Sequence, residues 1–320
     1  MSQEKTTIAN STSFALVSTV KDYFQLIKFT LSFLVVFSTV VSYLIATDYR
    51  NFWDVILLFL AGMLITGSAN TINQVAEKDT DALMKRTAGR PVASGRMTAS
   101  HATGFAIITG LAGLLIMLLQ FNWQSSLIGL VSLFIYGFIY TPLKKVNSVA
   151  VLVGGLPGAL PCLIGWVAAF YDSPIEWTGG WILFAIQFIW QFPHFWAIAW
   201  VAHQDYSKAG FKLLPSDKGP TKFTAMQTIM YSTLMLPIGV LPYYYDMSGI
   251  VSLWILMLCN IAMIALSVRL YIRMDIPSAR RVMFSSYFYL AIVFIALLAD
   301  KKHKDRDNIG IEMVHSIIIK

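Results

Sequence analysis

The feature that most constrains this chain is the recurrence of unbroken apolar blocks, roughly 17–25 residues each, along nearly its whole length. Blocks of that length cross a hydrocarbon core as α-helices, which satisfy every backbone N–H and C=O internally. A membrane β-barrel would instead show segments of about ten residues alternating in polarity, and the runs Leu31 to Ala46 and Ile250 to Leu266 do not alternate. Only 13% of the 320 residues are charged, against roughly 25% in an ordinary soluble domain. The chain is therefore expected to be all-α and polytopic, with nine spans near 30–47, 52–73, 101–120, 125–142, 148–170, 179–203, 223–245, 249–270 and 282–299. A polar tail (1–24), a membrane domain (25–300) and a second polar tail (301–320) complete the organisation.

Nine crossings put the termini on opposite sides, and the basic residues then fix orientation. Most of the 24 Lys and Arg fall in loops sharing a side with the N-terminus, whereas the opposite loops contain only Arg50. The N-terminus is expected in the cytoplasm. The first 20 residues carry Glu4, no Arg and no cleavable apolar run, which points to neither a secretory signal nor an organelle transit peptide and favours a bacterial inner membrane. The net charge of +7 reads as membrane orientation and attraction for anionic lipid or phosphate, not as a nucleic-acid footprint. Cys162 and Cys259 lie within apolar blocks without metal or disulfide spacing and read as small buried hydrophobes.

Polar chemistry collects where the second span ends. Asn70, Asn73, Glu77 and Asp81 follow at steps of three and four, which stacks them on one face if the helix continues, while Asp79 points elsewhere. Carboxylates crowded on one face need a neutralising cation, and Mg²⁺ suits them because it takes oxygen ligands and bridges carboxylates to phosphates. Lys85, Arg86 and Arg90 follow within a short loop and supply phosphate donors. A second polar segment closes the sixth span on the same side, running from Pro193-His194 to Asp205-Tyr206; Asp205 would face Glu77 and Asp81 if spans two and six were neighbours. Lys144 and Lys145 after the fourth span add cations to that surface. His194 lies about 13 Å inside its span at the helical rise, where an ionisable side chain faces the bundle interior and is a candidate for function. The stretch Gly154-Gly155-Leu156-Pro157-Gly158-Ala159-Leu160-Pro161 fits either close helix packing or a cavity wall.

These segments resemble the UbiA superfamily of intramembrane prenyltransferases. Asn73-x-x-x-Glu77-x-x-x-Asp81, followed by Arg86-Thr-x-x-Arg90-Pro91, matches its pattern with Glu77 in place of the first Asp, and Lys28 matches its Leu-x-Lys entry to the first span without the Pro-Arg that follows there. Ala209, where quinone-pathway relatives carry an Asp, is similar to the heme-modifying branch, as are Pro193-His194 and Tyr140-Thr-Pro-Leu-Lys144. The resemblance implies a nine-helix bundle around a central cavity and transfer of a farnesyl group from farnesyl diphosphate to the 2-vinyl group of heme B, with addition of water. It implies Mg²⁺ on Glu77, Asp81 and Asp205; diphosphate contacts from Lys28, Lys85, Arg86, Arg90 and Lys144; and catalytic roles for Asn70, Asn73, Arg86, Arg90 and a heme-facing His194. Heme B would be a substrate, and the product would go to a heme A synthase or a terminal oxidase. The alternatives are a quinone-pathway aromatic prenyltransferase and, from another class, a secondary transporter, which should show inverted repeats and midplane charges.

Overall fold

The computed structural model describes residues 19–48, 51–216 and 218–302. The chain before residue 19, Arg50 and the tail beyond 302 lie outside the described residues, with the readings made for them. Nine helices among the described residues are long and apolar enough to span a membrane. They are α1 (Phe29–Ala46), α2 (Phe52–Ala76), α3 (Ala99–Gln120), α4 (Trp123–Leu143), α5 (Ala150–Ala168), α6 (Thr178–Val201), α7 (Lys222–Tyr244), α8 (Ile250–Arg273) and α9 (Ile276–Ala299). The expected all-α, nine-span architecture is the one observed.

Side-chain caps set several helix starts. Asn51, Thr98, Asn122, Thr221 and Asp275 each accept a hydrogen bond from a backbone N–H in the first turn, a contact that contributes about 1 kcal/mol. One cap corrects the sequence reading: α9 starts at Ile276 rather than near 282, because Asp275 caps Ser278 N at 2.8 Å and Pro277 occupies the first turn. Arg280 and Arg281 thus lie within the helix, exposed at its end, where long basic side chains reach the interface.

Helices α5 and α6 form the centre. Their apolar windows are 72% and 67% buried, against 17% for peripheral α4. α1 and α4 pack on α5, α7 and α9 pack on α6, and α1 also meets α9. Small residues let these backbones approach: a methyl at Gly165 of α5 would overlap the Thr39 carbonyl of α1. Prolines inside α5 remove helical donors, and Ser132 Oγ of α4 reaches the Pro157 carbonyl, which Pro161 leaves unpaired, at 3.4 Å. In the second half, Asn260 Nδ2 donates to Met235 O (2.9 Å) and Tyr289 OH to Asn260 Oδ1 (2.7 Å), joining α7, α8 and α9.

Two local features position the site. Over Ile135–Tyr140, α4 widens into a π turn, a device often found at functional sites, which puts Tyr136 and Tyr140 on the wall of the central cavity. Lys28 joins a short helical segment (19–26) to α1 with a φ of 47°, a left-handed conformation uncommon outside glycine. The segment is held by Gln74 Nε2, which donates to Gln25 O (2.9 Å) and Leu26 O (2.8 Å).

Candidate active site

The end of α2 carries its polar stripe inward. Asn70, Asn73, Glu77 and Asp81 are all buried, while Asp79 is exposed as expected. The α-helix breaks at Glu77 and resumes as a short helix, Lys78–Ala82. Asp81 N still donates to Glu77 O at 2.7 Å across the break, so the two carboxylates remain one turn apart.

Cations converge on the stripe from three other segments. Arg90 Nη1 donates to Asp81 Oδ2 at 2.6 Å, and Lys144, from the loop after α4, pairs with Glu77 Oε1. Lys28 Nζ donates to Asn73 Oδ1 at 2.9 Å, and Asn73 Nδ2 reaches Thr141 Oγ1 at 3.3 Å. Burial, reinforced by repulsion from Arg90 and Lys144, depresses the Lys28 ammonium from 10.5 to about 7. Burial also lowers Lys144, against the pull of Glu77. Lys144 lies over the rings of Tyr140 (4.9 Å) and Phe211 (5.2 Å), and its carbonyl accepts from Lys212 N at 2.8 Å. The segment after α6 therefore packs against the end of α2. Arg86 reaches Tyr206 OH at 3.3 Å at the rim, and burial raises the Tyr206 phenol. Arg96 ties the loop down, with Nε on Asp22 Oδ1 at 3.0 Å and Nη2 on Gly89 O at 3.0 Å.

Below this cluster a mostly apolar cavity of about 230 Å³ begins at Asn70 and Tyr140 and runs past Leu58, about 18 Å further along α2. Its wall includes Gly154, Pro157, Gly158 and Pro161, so the glycine- and proline-rich stretch of α5 serves both packing and the cavity. His194 faces the cavity; its Nδ1 lies 2.7 Å from Ser286 Oγ, and its ring stacks on Trp190 at 4.8 Å. Gln187 and Gln191 share this wall and direct their amide groups to the carbonyls of Gly158 (2.7 Å) and Gly155 (3.0 Å).

Three stretches distant in sequence thus bring Lys28, Asn70, Asn73, Glu77, Asp81, Arg90 and Lys144 together, with Arg86 at the rim. Lys85 is exposed and Asp205 half-buried in the short helix His203–Lys208. Among the described residues no three His, Cys, Asp or Glu side chains lie close enough to hold one metal ion, so Asp205 does not join Glu77 and Asp81 in a single cluster. The pair itself fits a divalent cation: Asp81 Oδ1 is buried without a hydrogen bond, and Glu77 Oε1 has none beyond its ion pair. Buried carboxylate oxygens left in that state are costly until a cation or donor arrives. Tyr136, Gln187, Gln191 and Ser286 were absent from the sequence expectations. The glutamines were detectable as paired polar residues four apart inside an apolar span; Ser286 gave no such signal.

Residues 35–298 match the UbiA prenyltransferase family. Over 280 residues, 87% of this chain and 97% of its relative, the sequence is 44% identical to a protoheme IX farnesyltransferase of Cytophaga hutchinsonii. It is 38% identical over 287 residues, 88% of this chain and 94% of the other, to the protein of that name from Flavobacterium psychrophilum. Among solved structures, a digeranylgeranylglyceryl phosphate synthase superposes with a TM-score of 0.73 at 20% identity, over 88% of this chain and 98% of that one. A UbiA homolog from Archaeoglobus fulgidus bound to GPP and Mg²⁺ superposes at 0.63 and 17% identity, over 86% and 99%. The fold is theirs, the sequence match extends over nearly every span, and the chain belongs to the UbiA prenyltransferase family.

Proposed function

We propose that this protein transfers the farnesyl group of farnesyl diphosphate to the 2-vinyl group of heme B, with addition of water, releasing diphosphate and giving heme O. The observation that carries the reading is the continuity of a buried charged cluster with an apolar cavity, the two halves of a prenyl diphosphate. The relatives' shared name supports the acceptor. The carboxylates lie at one end of the bundle rather than at its middle, which speaks against transport.

In this reading Lys28, Arg90 and Lys144 face the diphosphate oxygens, and Arg86, steadied by Tyr206, closes the rim together with Lys85. Glu77 and Asp81 would hold Mg²⁺, and Asp205, outside their cluster, would serve as a further carboxylate for the metal-bound diphosphate. Bound magnesium neutralises charge on the departing diphosphate and so lowers the cost of breaking the allylic C–O bond. Asn70 and Asn73 orient substrate oxygens at the cavity mouth. The apolar wall keeps water from the allylic cation until the vinyl carbon attacks, and His194 faces the acceptor. The charged end is cytoplasmic, the membrane is a bacterial inner membrane, and the product passes to a heme A synthase or a terminal oxidase.

The test is to incubate purified protein with Mg²⁺, farnesyl diphosphate and either heme B or a hydroxybenzoate or dihydroxynaphthoate acceptor. Farnesylated, hydrated porphyrin is expected; prenylation of the aromatic acid alone would replace the heme reading with a quinone-pathway one.

A further inference from the structure

The hydrogen bonds around His194 define which of its nitrogens is free. Ser286 Oγ donates its single hydrogen to Met283 O at 2.6 Å. Its contact with His194 Nδ1, at 2.7 Å, must then have the imidazole as donor. The proton of a neutral ring sits on Nδ1, and Nε2 is left as a bare acceptor. The ring is fixed in place: Trp190 stacks on it at 4.8 Å and 15°, Tyr287 meets it edge-on at 4.9 Å, and Trp190 Nε1 donates to Ser286 O at 2.9 Å. Both Ser286 and His194 are buried, so water does not compete for these bonds.

The surroundings of Nε2 matter as much. The cavity wall among the described residues contains no Asp, Glu, Lys or Arg, and its phenols and amides are poor proton acceptors. Gln187 and Gln191 commit their NH₂ groups to α5 carbonyls, and Gln187 Oε1 accepts from Cys162 Sγ at 2.9 Å. His194 supplies the wall's basic atom, next to the space the acceptor would fill.

We infer that His194 Nε2 is the general base that takes the proton from the water added to the acceptor's vinyl group. This rests on the farnesyl transfer proposed above. In that reaction the C1–O bond of the diphosphate breaks and C1 bonds to the terminal vinyl carbon, which leaves a cation on the carbon next to the porphyrin ring. Water oxygen bonds to that carbon while one of its protons passes to Nε2, and the hydroxyl remains. Without a base holding the water, the same cation is discharged by losing a proton from the neighbouring methylene, which gives an alkene one water lighter. Ser286 is a positioning residue, since it fixes which nitrogen is free.

The experiment uses the full-length enzyme with Mg²⁺, farnesyl diphosphate and heme B, and resolves hydrated from dehydrated farnesyl-porphyrin by mass. For His194→Gln the hydrated-to-dehydrated ratio should fall about 100-fold, the lower end of what a positioned base contributes, while the absorption spectrum of bound heme stays as in wild type. Ser286→Ala should lower the ratio less and Ser286→Thr should restore it; these variants decide the matter if His194→Gln fails to fold. An unchanged ratio in His194→Gln, or in Ser286→Ala where that variant must decide, overturns the inference. So does loss of the bound-heme spectrum in His194→Gln, which would make His194 an iron ligand. A wild-type enzyme that farnesylates no porphyrin removes the underlying reaction, an outcome separable from either.

Discussion

Buried lysines stand at both ends of this bundle, in opposite states. At the end away from Glu77, the Lys301 ammonium donates to Leu44 O (2.9 Å) and Thr47 O (2.7 Å) and pairs with Asp48 at 2.9 Å. An ammonium has three hydrogens to donate, and all three are used there. The neighbouring Asp300 accepts from Ser252 N at 2.7 Å, which covers the start of α8. At the other end Lys28 has one side-chain acceptor, Asn73, and Lys144 one carboxylate, Glu77. Asp81 Oδ1 accepts nothing. Charges saturated by their own fold lock helix ends together; charges left short of partners wait for a ligand. Burial alone does not separate the two, whereas an inventory of donors and acceptors does.

Substitutions on each side sharpen the contrast. Asp81→Asn and Glu77→Gln keep the volume and remove the charge, so product formation should fall by about 100- to 1,000-fold with the protein still folded in the membrane, as assayed by turnover alongside thermal unfolding. At the opposite end Lys301→Met should leave turnover per folded molecule unchanged and lower stability by about 1–3 kcal/mol for each carbonyl stranded without a donor, read from the unfolding midpoint. Equal effects on activity from the two ends would erase the distinction.

Lys28 offers a pH test of the same idea. Its ammonium is held at about 7, below the ordinary 10.5, by burial and then by Arg90 and Lys144. An anionic ligand binds the protonated form, so KM for farnesyl diphosphate should rise above pH 7, by at most about tenfold per pH unit for one proton. The stability contribution has the opposite sign: the folded state binds fewer protons than the unfolded state, so stability from this group rises with pH from about 7 toward 10.5. Lys28→Arg should flatten the KM profile, and an unchanged slope would remove Lys28 from the diphosphate site. The smallest effect is expected in the second half of the bundle, where Asn260→Ala breaks a satisfied interhelical network. It should cost roughly 0.6–1.7 kcal/mol and leave the product unchanged.

The spans were readable because length and apolarity are properties of single segments. Their exact ends were less so, as α9 shows, since Asp275 and Pro277 start a helix that Arg280 and Arg281 disguise. The stripe Asn70, Asn73, Glu77 and Asp81 was readable from helical spacing even though the helix breaks at Glu77. What the sequence hid depends on contacts between distant segments. Nothing local marks the π turn that presents Tyr136, or the pairing of Ser286 with His194 across 92 positions. Asp205, placed opposite the stripe by analogy of position, stands outside a common three-ligand cluster, while the segment after α6 brings Tyr206 to Arg86 and Phe211 to Lys144.

The central claim is that the partner-poor charged end grips a prenyl diphosphate together with magnesium. Calorimetric titration of the purified protein with a non-cleavable farnesyl thiodiphosphate, with and without Mg²⁺, tests it most directly. Magnesium-dependent binding by the wild type, lost in Asp81→Asn and kept in Lys301→Met, is the expected result. Equal binding by wild type and Asp81→Asn would contradict the account.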